Sequence, residues 1–235
     1  MFIKNKKLLV SVIIVSILIV TYIINEKIND KKIYFPIKTI HIKESKIIYS
    51  NKDEIYNTAD KYLKTKSFFT MDTNYLKKEI EKINWIRTAN IKRARGYPNE
   101  VEIFIEEHSP VAIWNNDFYL NESGNIFSAN KITRDLPLII SKTNRNDVIF
   151  EYFSLFSDGI YNHKINEKIM KIEENDIRSL SVFLLSNIIV KLGSKDIKKK
   201  IGIFFKAYKT LNSSDLKKIR YIDMRYSNGF AIGWK

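Results

Sequence analysis

Cysteine is absent from this sequence. That excludes disulfides, thiolate metal ligands and cysteine nucleophiles, and leaves burial alone to hold any exported domain together. Glycine is scarce: seven in 235 residues, and none falls in the GxGxxG or GxxxxGK[ST] spacing that cradles phosphates. The three histidines, His41, His108 and His163, lie far apart with no HExxH pattern, so a metal site is not expected. His41 occupies an exposed strand position and His163 a loop, where solvated histidines are the common case. There is no Gly-x-Ser-x-Gly elbow. Glu106-Glu107 and Glu173-Glu174 sit on strand patterns, where neighbours point to opposite faces, so neither pair makes a two-carboxylate site. The sequence therefore predicts no catalytic residue, no cofactor and no metal.

What is present begins with one apolar run. Residues 8–24, LLVSVIIVSILIVTYII, contain no charge and follow a tail whose only charged side chains are Lys4, Lys6 and Lys7. The run amounts to about 26 Å of helix, enough to span a bilayer core with help from Phe2, Ile3 and snorkelling lysines. The basic tail places residues 1–7 in the cytoplasm. A cleaved signal peptide is the rival reading and needs small residues at its cut. The first alanine is Ala59 and the run ends in Tyr22-Ile23-Ile24-Asn25-Glu26, which favours an uncleaved anchor.

The whole chain is 45% hydrophobic and 13% aromatic, enough for packed cores rather than disorder. The formal charge is +14. Its lysines are spread out, with Lys198-Lys199-Lys200 the densest run, and the richness in Lys, Ile and Asn is what A+T-rich codons produce. No nucleic-acid surface is expected.

Residues 25–34 read as a polar linker. Ile40 and Ile42 alternate with His41 and Lys43 as a strand. Asn51 to Glu54 forms a capping box ahead of a helix through Ile55, Ala59, Tyr62 and Leu63, and a second helix starts at Asp72 with Met71 stapled onto Leu76. Strands follow at Ala89–Arg95 and Val101–Glu107 around a Gly96-Tyr97-Pro98-Asn99 turn, giving a small α+β unit in the order β-α-α-β-β. Beyond Pro110, short strands at Val111–Trp114, Phe118–Leu120 and Ile126-Phe127 suggest a meander. A helix is expected from Asp147 to about Ser157, strands around Ile169–Ile172, Ser179–Leu185 and Ile188–Leu192, and a helix from Asp196 to Leu211. Ile219–Tyr226 and Phe230–Trp234 flank Asn228-Gly229, which reads as a tight hairpin.

Within Ile83 to Phe127 the chain resembles the bacterial cell-division family FtsQ (DivIB in Gram-positive bacteria). The residues that carry the resemblance are Trp85, Ile86, Arg93, Pro98, Asn99, Glu107, Pro110, Val111, Ala112, Trp114, Gly124 and Phe127. Asn84 and Tyr97 depart from the family's usual proline and tryptophan. The closing stretch YIDMRYSNGFAIGWK is also similar to the family's end. The resemblance implies a POTRA domain over 35–107 and a mainly antiparallel β domain with two helices over 108–235, behind a transmembrane helix at 8–24. It implies a non-enzymatic scaffold of the cell inner membrane, with both domains periplasmic at the division septum. Such a scaffold recruits FtsB/FtsL-type partners and helps control septal peptidoglycan synthesis, with other division proteins meeting the POTRA domain.

A chain ending in a strand tends to place it at a sheet edge, where unpaired N–H and C=O groups can accept another strand. In the resembled family the closing strand is where FtsB docks. The matching positions are Tyr226, Gly229 and Trp234, with Arg178 on the preceding β segment, and with Asn228 and Phe230 where the best-known members have Ser and Ala. Core burial of Tyr226 and Trp234 is the competing reading. Trp85 is expected in the core of the POTRA unit. An exported cell-wall-binding module and an anchored envelope enzyme are the alternative functions.

Overall fold

The computed structural model describes residues 10, 12–23, 33–43, 48–143, 145–227 and 229–235. The basic tail, the apolar run's positions 8, 9, 11 and 24, most of the linker and Asn228 lie outside the described residues. Residues 12–23 are helical, with their apolar side chains exposed. Ser16 donates its hydroxyl to the Ile13 carbonyl and Thr21 to those of Ile17 and Leu18, so both polar side chains are satisfied by their own helix. Among the described residues no helix is long and apolar enough to cross a membrane.

The chain divides into two compact units, one drawn from 1–43, 53–80 and 90–104, the other from 44–52, 81–89 and 105–235. In the first, β1 (Thr39–Lys43) is followed by α1 (Lys52–Leu63) and α2 (Thr73–Ile80). β2 (Ile86–Arg93) and β3 (Glu100–Glu107) come next and run on into the second unit. The sheet order is β1-β3-β2, with β1 parallel to β3 from Thr39 opposite Glu100 to Lys43 opposite Phe104. Ile55, Ala59 and Leu63 of α1, Leu76 and Ile80 of α2, and Val101 and Ile103 of β3 are buried. The apolar spacing expected for both helices and for β3 therefore faces inward. Asp72 caps α2 by accepting from the Asn74 and Tyr75 N–H groups.

The second unit is built on a nine-stranded sheet, β12-β11-β10-β9-β8-β7-β4-β5-β6. Its strands are β4 (Pro110–Trp114), β5 (Phe118–Asn121), β6 (Ile126–Phe127), β7 (Leu138–Ser141), β8 (Ile169–Glu174), β9 (Leu180–Leu184), β10 (Ile189–Gly193), β11 (Ile219–Asp223) and β12 (Ala231–Trp234). Most neighbours are antiparallel, but β4–β7, β7–β8 and β10–β11 are parallel. Parallel neighbours need crossovers. β5 and β6 lie between β4 and β7, α3 (Asn146–Asn162) connects β7 to β8, and α4 (Ile197–Tyr208) with the short α5 (Ser213–Leu216) connects β10 to β11.

Both long helices bury the same face of the sheet. Trp114, Ile139, Ile172, Val182, Val190, Ile222 and Ile232 lie opposite one another from strand to strand. They pack with Ile149 and Phe156 of α3 and Ile201, Phe204 and Phe205 of α4. α3 extends five residues beyond the expected Ser157, through Gly159. A Cβ on Gly159 would sit 2.0 Å from the Phe205 ring, so glycine here permits close helix approach and does not end the helix.

The other face carries a second row of partners: Phe127, Tyr119, Ile113, Leu138, Lys171, Phe183, Ile189, Tyr221 and Gly233. At the β4–β6 end this row is covered. Trp85, only 4% exposed, packs on Tyr119 and Phe127 with Tyr49 stacked 4.4 Å from its ring. Glu107 secures the covering segment by accepting from the N–H groups of Ile48, Tyr49 and Ser50. Trp85 is thus buried as expected, but its cluster belongs to the second unit and not to the first. His108 stacks on Phe127 at 4.1 Å. The Asn121 side-chain Oδ1 accepts from the Ser123 and Asn125 N–H groups, which turns its Nδ2 toward His108 Nδ1 at 3.0 Å. That nitrogen must then be the unprotonated one.

Candidate partner-binding edge

At the opposite end of the sheet β12 has one neighbour among the described residues, β11. Ile232 faces Ile222 and packs on the helix-covered core, which fixes the strand's register. On the other face a Cβ at Gly233 would lie 2.2 Å from the Tyr221 ring, so Tyr221 lies flat across the glycine. Lys191 Nζ sits over that ring, 4.0 Å from its centroid. Only β12's outer rim is left for further backbone pairing.

The connection into β12 differs from the expected tight hairpin around Asn228-Gly229. β11 ends at Asp223 and β12 starts at Ala231, leaving a seven-residue loop at 224–230. Asp223 and Arg225 cause the early ending. Arg225 donates Nε and Nη2 to the buried Asp223 carboxylate at 2.9 and 2.6 Å, and its backbone N–H to the same group at 3.0 Å. The Arg225 hydrogen bonds hold the Asp223 carboxyl below the usual range against the opposing effect of burial. The clamp redirects the chain before Tyr226 can join the strand. An acid two residues ahead of an arginine at a strand's end was the signal for it in the sequence.

The loop carries Tyr226 at 59% exposure and Phe230 at 38%, and β12 carries Trp234 at 53%. These values exclude core burial for the three aromatics. Gly229 has open space where a Cβ would go. Asn228 lies outside the described residues. Arg178 is exposed and sits in the β8–β9 turn with φ 58°, its N–H bonded to the Asn175 carbonyl, and not within a strand. The register puts that turn at the same end of the sheet as the 224–230 loop, with Trp234 at the far end of β12 opposite Ile219. Tyr226, Gly229 and Phe230 are thus together on one loop, while Arg178 and Trp234 stand apart from them. Among the described residues no three His, Asp or Glu side chains gather as metal ligands.

Two family models match the chain. One, described as POTRA domain, FtsQ-type, matches residues 35–108, and the other, Cell division protein FtsQ/DivIB, C-terminal, matches 112–225. The second match stops one residue short of Tyr226. The chain is 27% identical over 188 residues to the cell division protein FtsQ of Haemophilus influenzae, covering 79% of this chain and 72% of that one. It is 25% identical over 202 residues to that of Actinobacillus pleuropneumoniae, covering 85% and 86%. To that of Nitrosospira multiformis it is 24% identical over 208 residues, covering 83% and 82%.

Proposed function

The chain belongs to the FtsQ/DivIB family of cell-division proteins, and from that premise we propose that it is a membrane-anchored scaffold of the division site which captures an FtsB/FtsL-like partner on β12. In this reading residues 1–7 are cytoplasmic, 8–24 cross the inner membrane and 25–34 tether a POTRA domain (35–107) and a β domain (108–235) in the periplasm. The protein performs no catalysis itself; it recruits partners and thereby helps control septal peptidoglycan synthesis. Other division proteins meet it through the POTRA domain.

The observation that carries the reading is an open sheet edge flanked by exposed aromatics. Backbone groups on the rim supply affinity for an added strand, and Tyr226, Phe230 and Trp234 supply choice of partner, with Arg178 a more distant contact at the loop end of the sheet. The test is capture of the partner's extracytoplasmic segment by the full chain, with Tyr226→Ala and Trp234→Ala compared with the unaltered protein. Loss of capture with unchanged circular dichroism supports the edge. Undiminished capture by both folded variants removes it. Topology is tested by alkaline phosphatase fused after Lys31, where high activity and an intact N-terminus are expected.

A further inference from the structure

We propose that the end of the first unit where the chain arrives from the anchor is a membrane-docking surface for anionic phospholipid headgroups. This inference rests on the anchored reading given above.

Three segments meet at that end. Pro36 bridges to Ser67, the Phe68 N–H bonds to the Phe35 carbonyl at 2.9 Å, and Lys38 and Thr39 both bond through their N–H groups to the Asn99 carbonyl. The folded part of this unit exposes six large apolar side chains: Tyr34, Phe35, Tyr56, Phe69, Tyr75 and Tyr97. Four of them, Tyr34, Phe35, Phe69 and Tyr97, belong to these three segments. Phe35 and Phe69 meet edge to face at 5.4 Å, yet are 54% and 67% exposed.

The exposure is built in. Ser67 and Thr70 close the turn that projects Phe68 and Phe69, bonding reciprocally through side chain and backbone. Arg93 ties the same turn down with Nε on the Phe68 carbonyl and Nη2 on that of Met71, both at 2.8 Å. Phe35 is held at φ 56°, a conformation an aromatic residue adopts only when its surroundings impose it. Rigid aromatics held in water at a fixed place need an apolar or interfacial environment to occupy.

Charge and tether identify that environment. Lys38, Lys66 and Arg95 flank the aromatics, and Lys66 Nζ lies over the Tyr62 ring. The nearby acids have partners: Asp60 pairs with Lys64, Asp72 caps α2 and Glu100 binds His41. A second copy would bring these cations together, whereas anionic headgroups neutralise them. Aromatic rings mixed with lysines and arginines suit the membrane–water interface. From the last described helical residue, Ile23, to Phe35 the chain can reach at most about 40 Å, so the tether enters the unit at the patch and keeps it within reach of the bilayer.

With no native cysteine, nitroxide labels on Val15→Cys, Phe69→Cys and Lys43→Cys report depth unambiguously in the full chain. Each is read in nanodiscs of phosphatidylethanolamine with phosphatidylglycerol, in phosphatidylcholine nanodiscs and in detergent, by accessibility to oxygen against a nickel chelate. Docking predicts hydrocarbon-like accessibility at Val15 in every membrane and water-like accessibility at Lys43, at the far end of β1. At Phe69 it predicts loss of nickel accessibility in the anionic discs alone. High salt, or Lys66→Glu with Arg95→Glu, restores it while the melting temperature is unchanged. A hydrocarbon-like Val15 with a water-like Phe69 in both discs overturns docking and leaves the anchor standing. A water-like Val15 overturns the anchor and docking with it. Equal shielding of Phe69 in discs and detergent assigns the patch to a protein contact and also overturns docking.

Discussion

The two edges of the nine-stranded sheet are finished in opposite ways. β6 is two residues long, and its Phe127 is buried under Trp85 and stacked on His108. Short strands and covering side chains are ordinary protection against unwanted pairing. β12 is twice as long, has Tyr221 and Lys191 layered over its glycine, and leaves Trp234 half in water. The same register row runs from one edge to the other, so the difference lies in what covers it. Among the described residues the sheet is thus closed at its β6 edge and open to further pairing at β12.

The largest effect that tests this contrast is on the closed edge. Trp85→Ala empties the cluster over Tyr119 and Phe127. It should destabilise the second unit by about 3–5 kcal/mol, seen as a lower melting temperature and reduced protein level. An unchanged melt would mean that the cover is dispensable. On the open edge Trp234→Ala and Tyr226→Ala should leave the melt within a few degrees while weakening partner capture by about 2 kcal/mol, roughly 30-fold. Titration of the partner segment against each variant measures it.

A finer probe is Gly233→Ala, whose methyl would meet the Tyr221 ring. About 1 kcal/mol of destabilisation is expected as the ring is displaced, and the same change should loosen β12 and weaken capture. Smallest of all is a difference in pH response. Burial, reinforced by the Arg87 cation, pushes the His108 imidazole below its ordinary value of 6.5. Stability from a neutral His108 is therefore present above pH 6.5 and is lost as pH falls below it, because the unfolded chain then binds the proton more readily. Arg87 is itself paired with Glu106, and Asn121 presents its amide N–H to the ring nitrogen, which favours the neutral imidazole. Asp223 is depressed from 3.8; its contribution is retained above pH 4 and fades only as pH falls through the lowered value. Between pH 7 and pH 5 the β6 end should thus lose stability through His108 while the Asp223 clamp keeps its own, and His108→Gln should flatten the slope of the thermal melts.

Sequence patterning located most of these elements because their signals are local. The capping of α2 by Asp72, the alternation of Val101, Ile103 and Ile105, and the spacing Ile197, Ile201, Phe204, Tyr208 each specify an inward face within a few residues. β7 was not legible. Its four residues pair in parallel with β4 and β8, and a parallel neighbour leaves no turn motif beside the strand. The Asn-Gly signal misplaced the end of β11, since it carries no information about the Asp223–Arg225 clamp that ends the strand three residues before Tyr226. At the edge itself, residue types and end-of-sheet position could be read in advance. Exposure of Tyr226 and Trp234 could not, because an aromatic residue in a terminal strand reads alike whether it faces core or water.

The β12 ladder also determines how the edge answers to force. Antiparallel hydrogen bonds run perpendicular to the strands. A load applied along β12 is shared at once by the bonds joining Ala231 through Trp234 to β11 and by the pairing of the Lys235 N–H with the Lys218 carbonyl. A load applied across the strand at Ala231 meets them one at a time. The edge is therefore mechanically stiff toward tension along β12 and yielding toward peeling from its Ala231 end.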